Sequence, residues 1–378
     1  MQKIYFISDA KYVNPSGREG GVKQCTSDFI KLFKTRFEVE IIQIAHREDF
    51  LYKLSVRLGL DVYNTYSPQD FAKSLENFPV TNKWMFALNM SNTVALSKVI
   101  KEKFGRNATI FLLSHGNESG DFLHQFTRFA SSQSFLKRLT STYKLGLLLK
   151  KEAFFRQKFI DKVLAVSPVE NEIEKWLNAP ESFMIPRNVT PNFISINPIL
   201  GRVGFFGDLS HYPNYFAVES LCNSLKKRNE KVEFRLVGGP ESFGKELEQI
   251  FPFIKYQGYL DEKQLIEEVS SWSFFLNIAF YYSRGVSTKL AKALSYGIPI
   301  ISTSIGNRGY LWKEGKILTG TSPDNVADLI VENCFSQACI YEAQDQSKLV
   351  ALSTPTFFEI MDSVYDRLIN PPSKTFQN

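Results

Sequence analysis

The segment SRGVSTKLAKALSYGIP, from Ser283 to Pro299, holds the residues of this chain best placed for anion chemistry. It follows an apolar strand and carries the punctuation of a short helix. Ser287 or Thr288 can cap the start, Gly297 can supply the left-handed residue after the end, and Pro299 sits where a helix cannot continue. Lys289 then falls in the first turn, close to Arg284. Cations at a helix amino terminus oppose the macrodipole, so both are accounted for if an anion is shared with the free backbone N–H groups, and a diphosphate would fit. A basic surface turn of small electrostatic cost is the other reading.

His115 follows TIFLLS at the carboxyl end of a central strand, the place where open α/β sheets put ligands. A histidine there either hydrogen-bonds a ligand hydroxyl or caps a loop. Gly20 and Gly21, in a glycine-rich loop with Gly17 after the first strand, either let a backbone approach a phosphate or simply make a tight turn. Glu118 and Asp121 read as solvated loop acids, and His46, His124 and His211 as structural or surface residues. From Ser134 to Phe159, seven Lys and Arg mix with Phe135, Tyr143, Leu147, Leu148, Phe154 and Phe155 against the single acid Glu152. That pattern suits either an anionic bilayer surface or a buried helix with a basic edge.

These residues must be held by a chain of 378 residues, too long for one ordinary core and suited to two α/β domains. Strand-like runs at Lys3 to Ile7, Val39 to Ile44, Trp84 to Leu88, Thr109 to Ser114 and Lys162 to Val166 alternate with helical stretches. The pattern restarts with a strand at Val203 to Phe206, after an irregular Pro- and Asn-containing stretch at Pro186 to Pro198. We therefore expect doubly wound parallel sheets in two domains, 1–190 and 191–355, with a final helix in 356–370 returning to the first. No CxxC pair occurs among the four cysteines and only four histidines are present, so a zinc site is not expected. The amino terminus lacks signal-peptide character and no apolar run reaches the roughly eighteen residues of a membrane span. A cytoplasmic protein is expected, soluble or peripheral at the inner membrane face. The net charge of +6 divides as +8 over residues 1 to 190 and −2 over the remainder. Nothing resembles a nucleic-acid reader motif, so no nucleic-acid partner is expected.

From Gly201 to Tyr310 the chain resembles the carboxy-terminal domain of family-4-like bacterial glycosyltransferases. FFGDLSHYPN at Phe205 to Asn214 resembles the opening glycine turn, RLVGG at Arg235 to Gly239 the second, and YQGYLDE at Tyr256 to Glu262 the base-side turn. Gly285, Lys289, Gly297 and Pro299 resemble the donor-phosphate helix, and IGNRGY at Ile305 to Tyr310 closes the series. In the first half, Gly20-Gly21, Ser114-His115-Gly116 and LAVSPVE leading to IPRNV match more loosely.

The resemblance implies a GT-B fold of two doubly wound β/α/β domains facing a cleft. It implies a nucleotide-sugar donor as co-substrate, a saccharide or lipid-linked acceptor, no separate cofactor and no metal. Transfer would proceed with retention, in bacterial surface polysaccharide synthesis. The donor residues it implies are Gly207, Asn214, Gly238, Gly239, Tyr259, Arg284, Ser287, Thr288, Lys289, Lys292 and Arg308, with His115 catalytic and Gly20 and Gly21 on the acceptor side. The chain departs from the family at Arg284 and Lys292, where two acidic residues are usual, and at Asp208 and Asn214, where Arg and Lys are usual. A non-catalytic GT-B subunit that stabilises a partner is the alternative those inversions allow.

Overall fold

The computed structural model describes residues 2–14, 20–57, 62–129, 134–228, 231–281 and 284–370. It divides into unit 1, Met1–Pro186 with Phe357–Asn378, and unit 2, Arg187–Thr356.

Unit 1 runs β1 (Gln2–Asp9), α1 (Ala10–Val13), α2 (Gly21–Lys34), β2 (Phe37–Ile44), α3 (Phe50–Arg57), α4 (Pro68–Ser74), β3 (Trp84–Asn89) and α5 (Leu96–Phe104). It continues with β4 (Ala108–Ser114), α6 (Glu118–Phe129), α7 (Phe135–Phe159), β5 (Lys162–Ala165), α8 (Pro168–Trp176) and β6 (Ser182–Met184). The strands form one parallel sheet in the order β2-β1-β3-β4-β5-β6, so the winding reverses between β1 and β3. Central β1 and β4 read as near-continuous apolar runs because helices cover both faces, whereas edge strand β2 exposes alternate residues.

Unit 2 runs β7 (Ile199–Phe206), α9 (Tyr212–Lys226), β8 (Glu233–Val237), α10 (Glu241–Ile250), β9 (Ile254–Gly258), α11 (Glu262–Ser270) and β10 (Trp272–Asn277). Then follow α12 (Thr288–Tyr296), β11 (Ile300–Thr303), β12 (Leu318–Gly320), α13 (Pro323–Asn333) and α14 (Gln337–Leu352). The sheet order β12-β11-β10-β7-β8-β9 places the reversal between β7 and β10, which pair in parallel. Gly204 is fixed by packing: a Cβ there would lie 2.2 Å from the Trp272 ring, which sits stacked with Phe206 and Phe275.

Helix α15 (Phe357–Ile369) closes unit 1, burying Ile360, Met361, Val364 and Leu368. Arg36 holds Asp362 at 2.6 Å, and the buried Lys162 ammonium donates to the carbonyls of Arg367, Leu368 and Asn370 at the end of the helix. A cation at those carbonyls meets the negative end of the helix dipole. The unit boundary falls at Pro186, four residues before the expected 190. Arg187 N–H already donates to Gly309, Asn192 to Ser295 and Ile194 to Tyr296, so the irregular stretch is bound along unit 2 instead of spanning freely. Glu152 and Arg156, in the stretch read above as either a bilayer surface or a buried helix with a basic edge, are wholly buried within α7.

Candidate functional site

The reversal in unit 2 gathers most of the predicted donor residues. Chain exits β7 through Gly207 and Asp208 and enters α9, whose first turn holds Asn214. Asn214 Nδ2 donates to the Asp208 carbonyl at 2.7 Å, and its Oδ1 accepts from the Lys289 ammonium at 2.6 Å, which joins α9 to α12. Lys289 Nζ also stands 4.7 Å from the centre of the buried Phe205 ring. Its stem passes close over Gly207, where a Cβ would come within 3.1 Å of Lys289 Cδ. Ser287 caps α12, its Oγ accepting from Leu290 N–H at 3.3 Å and donating to Asn277 Oδ1 at 2.6 Å at the end of β10. Thr288 is the first helical residue. Tyr282 and Ser283, where the predicted motif begins, lie outside the described residues.

The electrostatics of this corner are one-sided. Burial lowers the Lys289 ammonium to about 7, and Arg308 adds repulsion that Asp208 only partly offsets. His211, just before α9, is pushed down to about 4 by burial and by the charges of Lys289, Arg284 and Arg308. Reading His211 as a structural or surface residue missed this, because its neighbours come from α12 and the loop after β11, not from nearby sequence. Cations at this density, beside the N–H groups of α12, are stabilised by a bound anion. Arg308 is positioned in part by donating to the Ile305 carbonyl at 2.6 Å.

The glycine turns form the neighbouring wall. Gly238 has φ of +119°, and a Cβ would stand 2.0 Å from the Gly207 carbonyl oxygen, so no other residue fits without moving backbone. A Cβ on Gly239 would meet the Tyr259 ring at 2.3 Å, while Tyr259 itself is largely exposed. Tyr256 anchors the turn by donating to the Gly238 carbonyl at 2.6 Å. Lys292, also expected among the donor residues, has a partner of its own. Its ammonium is held by Glu262 Oε2 at 2.5 Å, and the same carboxylate accepts from the Tyr296 hydroxyl. It is one turn beyond Lys289 and its charge is already paired across to α11.

In unit 1, His115 is buried at the end of β4, its ring 5.4 Å from that of Phe29. Its Nε2 lies 3.0 Å from Asn89 Oδ1, and Asn89 Nδ2 donates to Ser8 and Thr26 at 2.9 Å each. With its amide hydrogens committed, Asn89 presents its oxygen as acceptor, so Nε2 donates to it. A buried network stiffens the loop below: Ser114 donates to Glu174 at 2.6 Å, Arg156 pairs with Glu174 and donates to Asn117 at 2.8 Å, and Ser119 and Tyr63 donate to Glu152. Burial raises the Glu152 carboxyl above its ordinary range. Gly20 precedes α2 with φ of −134°, an extended residue and no tight turn, and α2 has neither a side-chain cap nor an acid in its first turn. Among the described residues nothing lies within 4 Å of a Cβ placed on Gly20. Gly17 lies outside the described residues.

Two doubly wound parallel-sheet units, with the last helix returning to the first, define the GT-B fold of glycosyltransferases. Residues 201–333, inside unit 2, match the family described as Glycosyl transferases group 1. Among solved structures, the chain is similar to Anabaena HepE in complex with UDP and glucose, at 14% identity over 97% of this chain and 99% of that one, with a TM-score of 0.60. Sucrose-phosphate synthase from Thermosynechococcus elongatus matches at 15% identity over 97% and 99%, with a TM-score of 0.67. A mutant of S. aureus TarM in complex with fondaparinux, alpha-GlcNAc-glycerol and UDP matches at 10% identity over 98% and 100%, with a TM-score of 0.63. No curated protein matches the chain in sequence.

Proposed function

We propose that the protein is a glycosyltransferase that takes a sugar from a nucleoside diphosphate and passes it to a saccharide or lipid-linked acceptor in surface polysaccharide synthesis. The observation that carries this reading is the cluster of Arg284, Lys289 and Arg308 around a neutral His211 at the winding reversal of unit 2. The diphosphate would lie on the first N–H groups of α12 and Lys289. The base would lie toward Tyr259 and the Gly238-Gly239 turn. These cations and N–H groups would stabilise the leaving diphosphate without a metal, and transfer would retain configuration. His115 of unit 1 would hydrogen-bond a sugar or acceptor hydroxyl, with the Gly20-Gly21 helix start beside an acceptor group.

A peripheral membrane role is supported by the first half of α7. Phe135, Leu136, Leu139 and Tyr143 are exposed there among Lys137, Arg138 and Lys144, a mixture of aromatic and cationic groups that suits an anionic bilayer surface. No described helix is long and apolar enough to cross a membrane. The deciding experiment is a thermal-shift panel of UDP, GDP, dTDP, ADP and CMP compounds, where a ligand at a hundred times its Kd should stabilise by about 2.7 kcal/mol. Silence across the panel would remove the donor assignment and favour a non-catalytic GT-B subunit, the reading that the inverted charges at Arg284 and Lys292 permit.

A further inference from the structure

A second polar centre stands in unit 1 at the carboxyl ends of β1 and β2. Asp9, the last residue of β1, is almost fully buried, yet its carboxylate faces three side chains. Its Oδ2 lies 2.7 Å from His46 Nε2, accepts from the Tyr66 hydroxyl at 3.1 Å, and is 3.7 Å from the Lys11 ammonium. Asn92 Nδ2 donates in turn to the Tyr66 hydroxyl at 3.4 Å. Lys11 Nζ lies 3.0 Å from the same His46 nitrogen, and an ammonium only donates. Nε2 of His46 is thus held between the Asp9 carboxylate and the Lys11 ammonium. Nδ1 of the half-exposed His46 is the ring nitrogen that neither of them touches.

His46 lines a cavity of about 510 Å³ beside edge strand β2, together with Gln43, Arg47, Asp49, Tyr66 and Gln69. That volume is in the range of small-ligand sites, roughly 300 to 1,000 Å³. Its charges are already spent on one another. Arg47 holds Asp49 at 2.8 Å and Asn64 at 2.8 Å, and Lys73 holds Asp70 at 3.0 Å. Glu48, also on the lining, adds a further carboxylate. An anion would thus meet carboxylates and a guanidinium with no charge to offer, the opposite of the corner at Lys289. What the lining does offer is a ring nitrogen, two carboxamides and hydroxyls.

We propose that this cavity binds one uncharged saccharide ring, a ring hydroxyl hydrogen-bonding to Nδ1 of His46 while Asp9 and Lys11 hold the imidazole at Nε2. Taking the ring for part of an acceptor chain rests on the glycosyltransferase reading; the binding itself does not. The test uses ligand-observed saturation-transfer NMR on the full chain with maltose, lactose, cellobiose and N,N′-diacetylchitobiose, and glucose 6-phosphate as the charged control. UDP is titrated separately. At least one neutral disaccharide should receive saturation, glucose 6-phosphate should not, and His46→Phe should weaken binding tenfold or more. Gln43→Trp, an exposed strand position that fills the cavity without touching Asp9, should do the same in a protein with unchanged melting. Absence of any disaccharide signal, or equal binding by both variants, overturns the proposal. Disaccharide binding without UDP binding would keep this pocket and sink the donor assignment, and UDP binding without disaccharide binding would do the reverse.

Discussion

Removing the Lys289 ammonium separates a donor site from a basic surface turn. Without ligand, burial and Arg308 hold this group down at about 7, so near neutrality roughly half of it has lost its charge. A diphosphate restores the charge and gains a charge-assisted contact of about 1.5 to 3 kcal/mol, or about ten- to a hundredfold in Kd. Lys289→Met should lose that factor at pH 6. The wild-type affinity should fall as pH rises above about 7, by about tenfold per unit at most, until the two proteins converge near pH ~9. Calorimetry in two buffers of different ionisation enthalpy should show proton uptake on binding by the wild type near neutrality and none by the variant. Stability should move the other way. The folded pKa lies below the ordinary 10.5, so between those values the unfolded chain binds more protons and the wild type gains stability with rising pH. Below that window the cost of the buried charge is present in full. Ligand-free Lys289→Met should therefore melt above the wild type at pH 6, the gap closing toward the top of the window. Equal diphosphate affinity in both proteins at pH 6 would refute the assignment.

Arg156→Met should destabilise unit 1 by about 3 to 5 kcal/mol in urea unfolding, because it strands the buried Glu174 carboxylate; a loss below about 1 kcal/mol would show that the network is solvated. His115→Ala should lower turnover by about 10² while leaving UDP affinity nearly unchanged, and full turnover would return His115 to a loop-capping role. The protein should co-sediment with anionic but not neutral liposomes and release with salt. Phe135→Ser with Leu136→Ser should abolish that binding, and unaltered recovery of the double variant would take α7 out of the membrane reading.

The glycine turns were legible because a turn needs glycine for a local reason that the sequence displays, as at Gly238 with its positive φ. The helix at Lys289 was legible from Ser287, Gly297 and Pro299, which punctuate it at both ends. Roles that arise from register were not. Asp9 pairs with Ile44 across β1 and β2, and that pairing alone brings His46, two residues on, against a carboxylate 37 positions earlier. Lys292 looked like one more cation at the helix because Glu262, which neutralises it, arrives from α11. Which of the charged residues of α7 are buried was not legible for the same reason, since Arg156 and Glu152 find their partners Glu174, Ser119 and Tyr63 on other elements.

Helix α15 has a consequence for the order in which the chain is made. Its anchors, Arg36 to Asp362 and Lys162 to the carbonyls after Asp366, join residues 326 and about 205 positions apart, so unit 2 is threaded as one continuous insert through unit 1. Such distant closures carry the largest loop entropy and form late. On a ribosome, unit 2 has all of its residues before unit 1 does, and the older half of the chain must wait, its Lys162 ammonium uncovered, until the last helix emerges. Stalled nascent chains ending near residue 356 should then show a protease-resistant carboxyl half beside a sensitive amino half, a vectorial order opposite to the usual one in which the first-made domain is finished first.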